Sequence, residues 1–398
     1  MSEVLMQNAV RLHQAGRLAE AAQLYQQVLR SNPRHGGALY SLGFAYLQVS
    51  QYEEAQGLFA EASGVNPRDT EPWFYRGCAL YRLGRHDDAI ACFDRTLALK
   101  PDYVEALVNR AVARLETGHP AQALVGCDTA LCFRPDFLPA LVNRGNALTA
   151  LKRFEEALGC YDRAFELQPD DPAIRDNRDN ALFELGRLTR CPPSYMRQLF
   201  DKFSSTYDKR MLDELGYRAH AHLRKLSGRV MPDAKPPLRI LDLGSGTGLV
   251  GEAFKDLARG GRLDGVDLAP LMIEAAKRRG IYDTLVLADL ETHLAAPGPI
   301  YDLMLAADTM IYLGDLAPTF SGVARRLSPG GFYLFAVEAK EGEGWEQTVN
   351  HRFRHSLAYL RNEAARFGLD FVDAMECTLR TEADMPVPGY AVALKKNT

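Results

Sequence analysis

Hydrophobic residues follow two different regimes along the chain. Over the first half they recur three and four apart, the spacing of helices that bury one face, and the blocks themselves repeat. Prolines stand at 33, 67, 101, 135 and 169, each thirty-four residues after the last. A small residue recurs in phase as Ala21, Ala55, Ala89, Ala123 and Ala157, where two helices must approach closely. The residue four later is aromatic at Tyr25, Phe59, Phe93 and Tyr161, with Cys127 the one departure. From Leu238 short apolar runs (LRILDL, RLDGVDL, DTLVLADL, YDLMLAAD, GFYLFAVEA) alternate with amphipathic stretches. Strands alternating with helices predict a doubly wound parallel sheet, with a ligand at the carboxyl ends of its strands. The last runs, FVDAMECTLR and GYAVALKK, adjoin without a helix and predict an antiparallel hairpin at one edge.

The long period identifies the first half. The unit ALYSLGFAYLQVSQYEEAQGLFAEASGVNP carries Leu42, Gly43, Tyr46, Tyr52, Ala55, Phe59, Ala62 and Pro67 in register, and residues 2–169 resemble five tetratricopeptide repeats. A further helix, AIRDNRDNALFELGRL, continues the phase as a cap. An all-α solenoid is therefore expected over 2–187, a linker over 188–194 where prolines break the pattern, and a second domain over 195–398. The dipeptides Asn109-Arg110, Asn143-Arg144 and Asn177-Arg178 recur at one point of successive first helices. Their amides and guanidinium groups would line the inner groove and suit an extended peptide of acidic character, with a recurring solvated pair as the alternative. A passive scaffold or a homo-oligomer surface is the alternative use of such an array.

In the second half the first strand runs into glycines at 244, 246 and 248, with Asp242 before them. A dinucleotide turn spaces its third glycine one residue further and puts no acid before the first. Here the acid suits a ligand bearing an ammonium group and a sulfonium. Asp267, Asp289 and Asp308 end the next three strand-like runs. Four acids at four successive strand ends, with the glycine turn at the first, resemble class I S-adenosylmethionine-dependent methyltransferases over residues 195–398. That resemblance implies a Rossmann-like α/β domain with a seven-stranded sheet. It also implies that S-adenosyl-L-methionine is the cofactor and S-adenosyl-L-homocysteine the product. The Gly244, Ser245, Gly246 and Gly248 loop would pack on the methionine portion. Asp267 beside Leu268 would hold the ribose, and Asp289 with the Leu290 amide would read the adenine, with Ala306 near the cofactor; helix caps or turn residues are the alternative for Asp242 and Asp289. The stretch LFDKFSSTYDKRM is similar to the FDxxAxxYD segment of quinone- and biotin-pathway methyltransferases, with Ser204 replacing the alanine. In that resemblance a helix lids the cofactor and Tyr207 touches it; core packing of Phe203 and Tyr207 is the alternative. Repeats followed by this domain resemble bacterial methyltransferases that contain tetratricopeptide repeats.

Methyl transfer needs a base only when the nucleophile arrives protonated. Candidates are Asp308, Tyr312, Glu338, His351 and His355, with His355 preferred because it starts a helix after the fifth strand and histidine's ordinary pKa range suits proton removal near neutrality; a surface or packed histidine is the alternative. No NPPY or DPPY follows the fourth strand, no Pro-Cys pair offers a cytosine-type thiolate, and no paired-glutamate hairpin of the arginine-methylating type is visible. A net charge of −4 disfavours nucleic acid as partner. Seven cysteines without a CxxC pair predict buried reduced thiols rather than disulfides or a metal site. Without a signal segment or a long apolar span, a cytoplasmic protein is expected, off the membrane. The reading is an enzyme whose repeats recruit a protein, peptide or carrier-bound acceptor. The alternatives are a small-molecule methyltransferase with scaffolding repeats and a non-catalytic cofactor-binding interaction protein.

Overall fold

The computed structural model describes residues 2–204 and 206–397. It divides into two compact units, Met1–Ala181 and Leu182–Thr398. Among the described residues no helix is long and apolar enough to cross a membrane.

The first unit is a run of antiparallel helix pairs, from Ser2–Gln14 with Leu18–Ser31 through to Leu138–Ala150 with Phe154–Leu167. All five in-phase alanines are fully buried. Three of the four aromatics four residues later, Phe59, Phe93 and Tyr161, lie on a glycine of the facing helix, while Tyr25 shares its cluster with Ala9 at the equivalent position. A methyl group added at Gly43 would come within 3.0 Å of the Phe59 ring, one at Gly77 within 2.6 Å of Phe93, and one at Gly145 would overlap Tyr161. The departure at Cys127 has a matching departure at the equivalent facing position, where Ala111 replaces glycine. Both residues are buried.

The second unit is built on one mixed sheet. The strands are β1 (Arg239–Leu243), β2 (Arg262–Asp267), β3 (Thr284–Leu287), β4 (Tyr301–Ala306), β5 (Leu327–Ala339), β6 (Trp345–Gln347), β7 (Phe353–His355), β8 (Leu369–Glu382) and β9 (Met385–Lys396). Parallel pairing runs β3-β2-β1-β4-β5, and β9 then joins β5 antiparallel with β8 beyond it. Seven of these match the strands expected from the sequence. The short β6–β7 hairpin adds to them, and β7 pairs with the end of β5 at Glu338 and Ala339.

Alternate residues of β1 and β4 enter different cores. Leu241, Leu243, Met304 and Ala306 face one side, and Ile240, Leu303 and Leu305 face the other. Both faces are covered, which is why the strands read as continuous apolar runs. Strand order reverses between β1 and β4, so a crevice opens at their carboxyl ends.

The division between the units falls inside the helix Pro172–Glu184 and not at the expected linker. Phe183 and Cys191 are fully buried in a cluster with Ile311, Tyr312 and Phe353. Thr189 and Cys191 bond through their backbone to the segment after β4, with Gly314 N donating to Thr189 O at 2.7 Å and Cys191 N to Tyr312 O at 2.9 Å. Residues 188–194 therefore belong to the second unit.

Replacing Gly145 by valine should cost about 1 to 3 kcal/mol by overpacking the Tyr161 contact. Chemical denaturation followed by circular dichroism would show this as a lowered midpoint; an unchanged midpoint would mean the helix pair tolerates a wider spacing.

Candidate functional site

At the end of β1 the chain turns back on itself through three left-handed glycines, with φ of +70° at Gly244, +54° at Gly246 and +97° at Gly248. Gly244 N and Ser245 N both donate to Val266 O, at 2.8 and 3.0 Å, which ties the turn to the end of β2. A side chain at Gly244 would overlap Thr309. Above Gly246, by contrast, nothing lies nearer to an added methyl than 4.0 Å. The turn is thus packed on one side and open on the other, where its backbone can approach a ligand.

Three of the four strand-end acids line the resulting cavity, and each has its own partners. Asp267 accepts from Gly246 N through Oδ2 and from Ala269 N through Oδ1, both at 2.8 Å, and burial raises its pKa. Asp289 caps the helix Leu290–Ala295 by accepting from Thr292 N at 3.1 Å, and its other oxygen takes the guanidinium of Arg190. Burial pushes Asp289 upward, but Arg190 outweighs it and holds the carboxyl below its ordinary value. Arg190 also pairs with Glu291. Asp308 is held above its ordinary value by burial, against the pull of Arg380.

The same cavity gathers Tyr207, Leu268, Leu290 and Tyr312, together with Gly244 and Gly246. A smaller cavity beside it is lined by Tyr207, Tyr217, Ser245, Thr247 and Asp308. The helix Pro193–Phe203 and the turns that follow it cover the site. Asp208 pairs with Thr247 and Arg279, and Asp201 accepts from Leu271 N at 3.2 Å, which pins this cover to the glycine turn and to the helix after β2.

Several expected site residues are placed elsewhere. Asp242 lies beneath the turn, fully buried, with Oδ2 accepting from Tyr282 Oη at 2.6 Å and Gly251 N at 3.1 Å. It braces the turn against the following helix and does not reach the cavity. Gly248 caps that helix with its Cα against Arg279, and Ala306 is enclosed within β4. The expectation that His355 serves as a base is corrected. It ends β7 with no exposed surface, its Nε2 is 3.0 Å from Gly314 O, and burial drops its pKa to about 4. His351 pairs with Glu184 at 3.2 Å, and Glu338 is taken up by Arg380.

The arginines of the recurring dipeptides are also reassigned. Arg110, Arg144 and Arg178 pair with Asp94, Asp128 and Asp162, each sixteen residues earlier, at 2.5, 2.6 and 2.5 Å. These guanidinium groups staple neighbouring helices, so they are not free for an acidic peptide. The asparagines differ among themselves. Asn143 donates to Pro139 O at 2.8 Å and Asn177 to Asn146 Oδ1 at 3.5 Å. Asn109 lines a hollow with Tyr52, Tyr81 and Arg82.

Arg190, Phe200, Tyr217 and Arg380 were not among the expected residues. Arg190 meets an acid ninety-nine residues away, a distance over which no local pattern speaks.

A family model for a methyltransferase domain matches residues 240–331, and models for the tetratricopeptide repeat match residues 12–74, 70–103 and 139–171. No curated protein sequence matches the chain. Among solved structures, the MamA protein is similar at 20% identity over 42% of this chain and 90% of its own, with a TM-score of 0.40. YrrB, described as a TPR protein with an unusual peptide-binding site, has 22% identity over 43% of this chain and 88% of its own, with a TM-score of 0.40. A tetratricopeptide repeat protein from Parabacteroides merdae ATCC 43184 has 16% identity over 51% of this chain and 79% of its own, with a TM-score of 0.44.

The buried Asp242 gives the second unit a testable pH response. Burial lifts its pKa to about 7, far above that of an unfolded carboxyl group. The folded state then binds the extra proton between those values, so this group's contribution to stability is full in acid and is lost as pH rises through about 7. Both donors converge on Oδ2, so the amide oxygen of Asp242→Asn can keep both bonds. The melting temperature of that variant, relative to the parent, should rise between about pH 4 and pH 8. A constant difference would mean that the carboxyl group stays ionised.

Proposed function

Since this chain joins tetratricopeptide repeats to a methyltransferase domain, we propose that it moves a methyl group from S-adenosyl-L-methionine to an acceptor brought by the repeats. The observation that carries this reading is the pairing, at one switch point, of an open glycine turn with the Asp267 carboxylate that the turn's own amide holds in place. The residues fit such a cofactor. Asp267 has lone pairs left beyond its two backbone bonds and can accept from two ribose hydroxyls. Leu290 and Asp289 stand at the next strand end for the purine, with Arg190 fixing the carboxylate's orientation. Ser245, Thr247 and Tyr217 surround the smaller cavity, which suits the amino-acid tail.

When bound, the cofactor supplies a sulfonium carbon open to in-line attack. The chain supplies alignment and exclusion of water. Phe200, Tyr207 and Tyr312 contribute apolar ring surface above the turn, with ring centroids 5.5 Å apart between Phe200 and Tyr312. Asp308 and Tyr312 take over the place of His355 as groups able to meet an acceptor's proton. Burial drives the Tyr312 phenol well above its ordinary pKa, which leaves Asp308 as the base.

On the repeat side, Asn109, Asn143 and Asn177 remain the groups proposed to meet an extended peptide, through amides that both donate and accept. The neighbouring arginines, paired with aspartates, give this groove no selection by charge.

Calorimetric titration with S-adenosylmethionine and S-adenosylhomocysteine tests the first half of this reading. Gly246→Val should abolish binding by filling the open side of the turn. Asp267→Ala should cost about 1.5 to 3 kcal/mol through bonds lost to a charged group; a folded alanine variant with parental affinity would refute the assignment. For the second half, replacing Asn109, Asn143 and Asn177 together by alanine should raise KM for a protein acceptor and leave cofactor affinity unchanged. Unaltered kinetics would leave the repeats as a scaffold.

A further inference from the structure

The two adjoining cavities at the glycine turn share Tyr207, Gly244, Gly246 and Asp308. If the nucleoside fills one and the amino-acid tail the other, the sulfur that joins them lies at this junction. Asp308 is therefore placed beside the reacting carbon. The question is what its carboxylate is there to meet.

Its surroundings answer in terms of charge. The hydrogen bond it accepts from Arg380 Nη1 is long, at 3.5 Å. That guanidinium, itself 1% exposed, is committed to Glu338 and to Glu382, the latter at 2.6 Å. Arg352 is committed to Glu382 and lies 3.7 Å from Glu338. Arg354, much more exposed, approaches Glu338 at 3.5 Å. The short contacts of both inner guanidinium groups thus go to the two glutamates, and Asp308 keeps only its long ion pair to Arg380 on the side facing the junction. An anionic acceptor would add a second negative charge there with both inner guanidinium groups already engaged, which is costly in a desolvated site.

The rest of the wall is aromatic. Phe200 packs edge-on against Tyr207 and Tyr312, with centroids 6.3 and 5.5 Å apart, and Tyr217 lines the smaller cavity. Burial holds the phenols of Tyr207, Tyr217 and Tyr312 above their ordinary pKa, so they remain neutral. Ring faces beside a carboxylate held only by one long bond to a shared guanidinium favour a cation.

We infer that the acceptor is a primary or secondary amine, bound as its ammonium form by Asp308 among Phe200, Tyr207, Tyr217 and Tyr312. This rests on the methyltransferase reading above. The arriving ammonium passes one proton to the Asp308 carboxylate. The freed nitrogen lone pair then bonds the methyl carbon as the carbon–sulfur bond breaks, and that bond's electron pair stays on sulfur. The methylated ammonium leaves with the positive charge, and Asp308 returns its proton to water. Desolvation, which raises the pKa of Asp308, makes it a better acceptor for that proton.

The test uses the full chain saturated with S-adenosylhomocysteine and two small probes of like shape, benzylamine and benzoate, titrated by calorimetry at neutral pH. Benzylamine should bind, benzoate should not, and Asp308→Asn should weaken benzylamine by about tenfold or more. Absence of benzylamine binding, or benzoate binding as tightly, overturns the inference, and this comparison does not depend on the variant. A second titration guards the assignment of Asp308. S-adenosylhomocysteine and 5′-methylthioadenosine, which lacks the amino-acid ammonium, should each bind Asp308→Asn as they bind the parent. Selective loss of the former would give Asp308 to the cofactor's own ammonium and overturn the inference. Failure of the parent protein to bind S-adenosylhomocysteine would instead remove the methyltransferase reading and this inference together.

Discussion

The contact between Gly244 and Thr309 holds the second unit's site together. The turn after β1 and the segment after β4 meet there so closely that no side chain fits, and Thr309 Oγ1 donates to Leu243 O at 3.0 Å across the seam. Because β1 and β4 are neighbours at the point where strand order reverses, the seam closes the floor of the crevice and forces the open side of the turn upward. Gly246 then presents its amide to Asp267 and its bare Cα to the cavity.

Around that seam, four aspartates at equivalent strand ends carry out four different tasks, and burial alone does not distinguish them. Asp242 is sealed under the turn and tends toward its neutral form. Asp267 is fixed by backbone amides, Asp289 is neutralised by Arg190, and Asp308 is left with a long bond and a view of the cavity. What separates them is the supply of donors from elements distant in sequence: Tyr282 for the first, the segment before the lid for the third, β8 for the last. The site's electrostatics are thus set by the packing of the cover and the sheet edge, which also decides which carboxylate remains available.

The repeats show the complementary case, in which periodicity produces a feature that looks functional and proves structural. Arginines at 110, 144 and 178 meet aspartates at 94, 128 and 162, and both sets follow the same thirty-four-residue period. A solenoid repeats its interfaces along with its surfaces, so an in-phase charged residue is as apt to belong to one as to the other. At these positions the partner sits in the preceding helix, and the exchange of a solvated guanidinium for an ion pair with an exposed aspartate adds register more than energy.

Local pattern and period, which are properties of the sequence by itself, determined the helix pairs, the alanine and aromatic packing positions, the order of strands and helices, and the glycine turn with its strand-end acids. These are short-range matters: the spacing of apolar residues sets the element, and a residue at a strand end stays there whatever the rest of the chain does. Only tertiary structure decided that β9 enters between β5 and β8, that a small hairpin follows β5, that residues 188–194 join the second unit, and that Arg190 reaches Asp289. It also decided that His355 is sealed and that Asp308 is exposed to the junction of the cavities. Whether an ionisable group can act depends on its distance from solvent and from opposite charge, and both are set by segments that the sequence places far away and the fold brings near.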